Sequence, residues 1–242
     1  MNFLKDKVIV ITGASSGLGE QMVYLFAKSK VKLCLIGRNK IRLNKVSENI
    51  IKKGGNRPLI VSIDIKKISQ IKKGARKIID AFGEIDILVN NAGVYSEAAF
   101  EEISVKLIKD IFQTNVLGPI YFTQILLPKI KRGGHIVNIL SKSVFSSKSH
   151  VAVYAASKHA VSGLSQNLRQ ELIEKDIRLT EVYPGKMKTA MLSQYSKESS
   201  TFLSPKEVAK IVVKIVNIPQ NICVESVTIG RFYSKGPNER KN

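Results

Sequence analysis

Short β-branched runs alternate strictly with longer amphipathic stretches along this chain of 242 residues. Strands read at 8–12, 31–36, 58–63, 85–90, 134–140, 177–183 and 221–229. Between them, apolar residues recur at helical spacing over 17–29, 40–53, 66–81, 101–128, 152–175 and 205–217, the last opening on Ser204-Pro205, a cap and first-turn pair. Strand–helix alternation of this kind implies right-handed crossovers and a parallel sheet covered by helices on both faces. The first strand, Val8-Ile9-Val10-Ile11-Thr12, is apolar throughout, as a strand buried on both sides must be.

That strand runs into Thr12-Gly13-Ala14-Ser15-Ser16-Gly17-Leu18-Gly19, which opens the first helix. Gly13 permits a tight turn, Gly17 lets backbone approach a pyrophosphate, and Gly19 allows helix and strand to pack closely. The helix N-terminus adds free N–H groups and partial positive charge. The expected fold is therefore a single doubly wound Rossmann-type α/β domain with about seven parallel strands, spanning 1–232. The stretch 186–203, rich in Ser, Lys and Met after a Pro-Gly turn, is expected to be a substrate lid. The polar, basic end 233–242 is expected to be a mobile tail.

The second strand leads into Gly37-Arg38-Asn39-Lys40, where an NAD-binding chain would carry an acid for the ribose 2′-hydroxyl. Arginine cannot accept from a hydroxyl, but its planar fork suits a 2′-phosphate. NADP(H) is accordingly expected over NAD(H), with Arg38 and Asn39 at the adenosine end. Farther along, Tyr154-Ala155-Ala156-Ser157-Lys158 sets a phenol and an ammonium one helical turn apart, with Ser141 thirteen residues earlier. A cation there would favour the phenolate and lower the tyrosine pKa toward the range useful for proton transfer.

Composition excludes several other classes. No run of about 18 apolar residues exists, so no membrane span is expected, and the N-terminal residues lack a signal-peptide layout; a cytoplasmic location follows. Cys34 and Cys223 both sit in apolar runs and read as buried, reduced strand residues, and the three histidines show no metal-ligand spacing. The formal charge of +20 is scattered and comes with no nucleic-acid motif. With the abundance of Lys, Ile and Asn it reads as the drift of an A/T-rich genome, and no specific nucleic-acid partner is expected.

Together these motifs resemble the short-chain dehydrogenase/reductase family, from Thr12 to about Ile229. The resemblance rests on the glycine loop, Asp64 after the third strand, Asn90-Asn91-Ala92-Gly93 after the fourth, Asn115, Ser141, Tyr154 with Lys158, and Pro184-Gly185 with Thr189. It implies a catalytic set of Asn115, Ser141, Tyr154 and Lys158. Tyr154 would act as general acid or base, Ser141 would bond the substrate oxygen, and Lys158 would hold the nicotinamide ribose. Asn115 would hold a water relaying protons from Lys158.

For the cofactor, it implies Gly13, Ser15, Ser16, Gly17, Leu18 and Gly19 at the pyrophosphate, and Asp64 and Ile65 at the adenine. Asn91, Ala92 and Gly93 would lie at the adenosine ribose, and Pro184, Gly185, Met187 and Thr189 over the nicotinamide. It also implies a small carbonyl or alcohol substrate and a homodimer or homotetramer. One departure is Leu140-Ser141-Lys142, where the family often has two serines. The carboxyl end lacks the glycine-rich finish usual in acyl-carrier-protein reductases, which keeps 3-oxoacyl-carrier-protein reduction as an alternative only; a nucleotide-sensing protein without catalysis is another. Substrate contacts are expected from Tyr95, Val144, Phe145, His150, Tyr195 and the 186–203 stretch. Lys186 and Lys188 raise the possibility of an anionic keto or hydroxy acid.

Overall fold

Seven strands form one parallel sheet in the order β3-β2-β1-β4-β5-β6-β7. The computed structural model describes residues 2–193 and 202–232. The strands are β1 Val8–Thr12, β2 Lys32–Gly37, β3 Leu59–Ser62, β4 Ile85–Asn90, β5 Ile130–Ile139, β6 Arg178–Pro184 and β7 Ser226–Ile229. The helices are α1 Gly17–Phe26, α2 Lys40–Lys52, α3 Ile68–Phe82, α4 Val105–Phe112, α5 Gly118–Leu126, α6 Ala152–Ile173, α7 Ala190–Ser193 and α8 Pro205–Val216.

Alternate residues of the central strands feed two separate cores. Ile9 and Ile11 of β1 point to the layer made by α1, α2 and α8, with Met22, Phe26, Leu43 and Val212. Val8 and Val10 point to the opposite layer of α3, α5 and α6, with Ile71, Ile78, Phe122 and Leu172. This two-sided burial is why β1 is an unbroken apolar run rather than an alternating one. The chain winds outward from β1 to β3 and returns to β4 on the other side of β1. That reversal leaves a crevice beyond the carboxyl ends of β1 and β4, where ligands of doubly wound sheets bind.

Three expectations need correction. The helix expected over 101–128 is broken: α4 and α5 are joined by a π-helical turn, Gln113–Leu117. Strand β5 begins at Ile130, ahead of its apolar run, with a register shift against β4 and a left-handed Gly133 at φ +74°. Strand β7 begins only at Ser226, so Cys223 precedes it and is exposed, whereas Cys34 is fully buried. The segment before β7 is tied down by side chains instead of a ladder. Arg178 donates to the carbonyls of Pro219 (3.3 Å) and Ile222 (3.0 Å), and Thr180 Oγ1 donates to that of Val224 (2.6 Å).

The ends of the 186–203 stretch are clasped together. Leu203 N donates to Lys186 O (2.8 Å) and Lys188 N to Leu203 O (2.9 Å). Residues 194–201, including Tyr195, lie outside the described residues, as does the expected tail at 233–242. Among the described residues no helix is long and apolar enough to cross a membrane, and no His/Cys/Asp/Glu group could hold a metal.

Candidate active site

The loop after β1 is shaped by close approaches that only glycine allows. Gly13 has φ +67°, and a Cβ on Gly19 would lie 2.1 Å from the Gly13 carbonyl oxygen. Thr12 ties this loop to β4: its hydroxyl donates to Val89 O (3.3 Å) and accepts from the N–H groups of Asn91 (2.9 Å) and Ala92 (3.0 Å). Asn91 Nδ2 in turn donates to the carbonyls of Thr12 (2.9 Å) and Gly13 (3.3 Å). Thr12 belongs to the glycine motif but was not foreseen as a site residue; its place at a strand end facing Asn91 could have signalled it.

A cleft of about 250 Å³ runs along this crevice. Its walls include Gly13, Ser15, Ser16, Gly17 and Leu18 from the loop, Arg38 after β2, and Asp64 and Ile65 after β3. Asn91, Ala92 and Gly93 follow from β4, Tyr154 and Lys158 from α6, and Met187 and Thr189 from beyond β6. Gly19 does not line it and serves the packing against Gly13. Asn39 also stays outside it: its side-chain oxygen caps α2 by accepting from Arg42 N (2.9 Å).

A second cleft of about 170 Å³ opens beside the first. Ser141, Tyr95, Pro184, Gly185 and Lys186 line it, and it shares Leu140, Tyr154, Met187, Thr189 and Met191 with its neighbour. Val144, Phe145, His150 and Lys188 do not line it; Phe145 is exposed, its ring 4.6 Å from that of Tyr183.

Tyr154 stands where the two clefts meet. The Ser141 side chain lies close enough to act on its pKa, and the Tyr154 ring makes an edge contact with the Tyr95 ring at 4.8 Å between centroids. Tyr95 donates its own hydroxyl to Glu97 (2.6 Å), a pairing the sequence did not suggest. Burial pushes the Tyr154 pKa above its ordinary value, and the nearby Ser141 hydroxyl only partly offsets this. The lowering expected from Lys158 is thus not the state of this structure. Lys158 Nζ donates to Ile139 O at 3.0 Å and sits 5.9 Å from the Tyr154 ring centroid, and loss of hydration outweighs its field. Lys158 is 6% exposed, and burial lowers its own pKa to about 8.

Asn115 sits in the π-helical turn and lines neither cleft. Its Oδ1 accepts from Val94 N (2.8 Å), and its Nδ2 donates to Val94 O (2.9 Å) and Ser157 Oγ (3.0 Å). Ser157 donates to the Tyr154 carbonyl at 2.6 Å. The side chain therefore fastens the loop after β4 to α6.

These features suit a nicotinamide dinucleotide. The α1 N-cap, Ser16, makes no side-chain cap bond, so the first-turn N–H groups remain available to a phosphate. Asp64 keeps acceptor capacity beyond its bond from Lys66 N. The buried Lys158 ammonium has one hydrogen-bond acceptor among the described residues and can donate further to hydroxyls.

Sheet order, glycine loop and clefts define a Rossmann-type nucleotide-binding α/β protein. The model of the short chain dehydrogenase family matches residues 7–200. An uncharacterized oxidoreductase of Staphylococcus saprophyticus is 32% identical over 93% of this chain and 97% of its own length. Among solved structures, an alcohol dehydrogenase from the archaeon Thermococcus sibiricus, complexed with 5-hydroxy-NADP, superposes with TM-score 0.88. It is 26% identical, over 96% of this chain and 99% of that one. A 3-ketoacyl-(acyl-carrier-protein) reductase from Brucella melitensis complexed with NADH gives 0.86 at 28% identity, over 94% and 98%. The chain belongs to the short-chain dehydrogenase family and is an oxidoreductase of that family.

Proposed function

We propose that this protein is an NADP(H)-dependent oxidoreductase acting between a carbonyl and a secondary alcohol of a small substrate. The observation that carries this is the place of Tyr154, on the wall shared by the two clefts and beside Ser141. A nicotinamide dinucleotide, when bound, supplies or receives the hydride. The chain's residues hold it and manage the proton. The loop from Gly13 to Gly19 and the α1 N-terminus would receive its phosphates, and Arg38 the 2′-phosphate. Asp64 and Ile65 would border its adenine, and Asn91, Ala92 and Gly93 its adenosine ribose.

At the reacting end, Lys158 would donate to ribose hydroxyls. Pro184, Gly185, Met187 and Thr189 would close over the nicotinamide side. Ser141 would donate to the substrate oxygen, stabilising charge as it develops there. Tyr154 would protonate that oxygen in reduction and take the proton back in oxidation. With the Asn115 carboxamide engaged by Val94 and Ser157, a relay water would be held by the main chain of the π turn. Exposed Val105, Leu117 and Leu164, on α4, the π turn and α6, support assembly of copies into a homodimer or homotetramer.

The likeness to the Brucella reductase supports a second reading, in which the carbonyl belongs to a 3-oxoacyl thioester. Both readings are tested by following oxidation of NADPH and of NADH with aldehydes, ketones, keto acids and a 3-oxoacyl thioester. NADPH consumption that Tyr154→Phe reduces at least ~100-fold, with NADPH still bound, is the expected result. Unchanged turnover in that variant would sink the assignment of Tyr154. Preference for the thioester would select the second reading.

A further inference from the structure

The second cleft has a one-sided electrostatic character. Lys142, Lys148 and Lys186 line it, and no aspartate or glutamate does. In a chain this rich in lysine their number means little; their placement is what matters. Lys142 follows Ser141 directly, just past the end of β5, and Lys186 lies two residues past the end of β6. The two strands are parallel neighbours, so both lysines rise from the same rim as Ser141.

Their charges are not equally spent. Lys148 forms an ion pair with Glu97, which lies outside the cleft wall. Lys142 and Lys186 have no carboxylate within ion-pair distance among the described residues, although the Lys186 charge also helps to lower the Glu97 pKa. The Lys142 stem runs along Gly185, and its ammonium would lie 3.1 Å from a Cβ at Gly230. Lys186 Nζ sits 5.9 Å from the Phe202 ring centroid. Three lysines set against Glu97 leave an excess of positive charge along this rim, which an anion would relieve.

Resting on the oxidoreductase reading above, we propose that the substrate carries an anionic group, carboxylate or phosphate, within a few bonds of its reacting carbonyl, held by Lys142 and Lys186. Lys188, which lines neither cleft, takes no part.

The test is calorimetric titration of the protein saturated with NADP+, using isobutyrate, methyl phosphate and the uncharged isobutyramide. At least one anion is expected to bind about tenfold or more tightly than the amide, as a charge-assisted contact should. K142M/K186M should abolish the difference and K142R/K186R should keep it. NADP+ affinity reports whether each variant is folded. Anions binding no better than the amide, or binding K142M/K186M unchanged, would overturn the proposal. The better anion identifies the group. Failure of the oxidoreductase reading looks different: no carbonyl compound consumes NADPH, whatever the anions do.

Discussion

Burying an ammonium where Lys158 sits is unfavourable for the folded chain, and that cost has a measurable pH dependence. Its pKa of about 8 lies below the ordinary 10.5, so between these values the unfolded chain binds more protons than the folded one. Stability should therefore rise as pH increases through that window, and the penalty is fully present below it. Lys158→Met should be the more stable protein at pH 7, by up to about 3 kcal/mol, with the gain shrinking toward pH 10. Thermal unfolding of both proteins across pH checks this; a gain independent of pH would show that packing, not charge, is responsible. Arg38, in the wall of the first cleft, invites a different experiment. Arg38→Asp should shift the ratio of kcat/KM for NADPH over NADH by about tenfold or more toward NADH, through loss of a charge-assisted contact.

Among the elements, the π-helical turn between α4 and α5 has the most specific consequence. Asn115→Ala would remove three hydrogen bonds that join Val94 and Ser157 through one side chain. A loss of about 1–3 kcal/mol is expected in denaturant unfolding, with turnover falling while NADPH affinity holds. The sequence revealed Asn115 as a position but not the turn, because one added residue merely shifts the phase of an apolar pattern that continues on both sides. Strands β1 and β4 were legible to the residue, being apolar runs closed by a glycine and an asparagine pair. The start of β5 was not, since Lys131-Arg132-Gly133-Gly134 carries no apolar period. Cys223 misled because Ile222-Cys223-Val224 looks like a strand, yet Arg178 and Thr180 supply its pairing from outside. Similarly, motif spacing put Tyr154 and Lys158 on one helix face, where both line the first cleft, but could not reveal how strongly burial acts on both.

For the molecule as a whole, the charge of +20 acts on every association it enters. Copies meeting through Val105, Leu117 and Leu164 would repel one another, and salt would screen that repulsion. Assembly should strengthen with ionic strength, while NADPH binding weakens. Light scattering at low and high salt checks the first, and Leu164→Glu should yield monomers at either. Assembly that falls apart in high salt would contradict this view of the interface. The order of the strands carries one more implication. Loops after β1, β2 and β3 reach only the first cleft, whereas those after β5 and β6 build most of the second and also close the first. The earlier stretch of the chain therefore serves one cleft only, and the second is written almost wholly in the later stretch. Descendants of such a protein can be refitted for new chemistry by rewriting the later stretch alone, with the earlier one inherited intact.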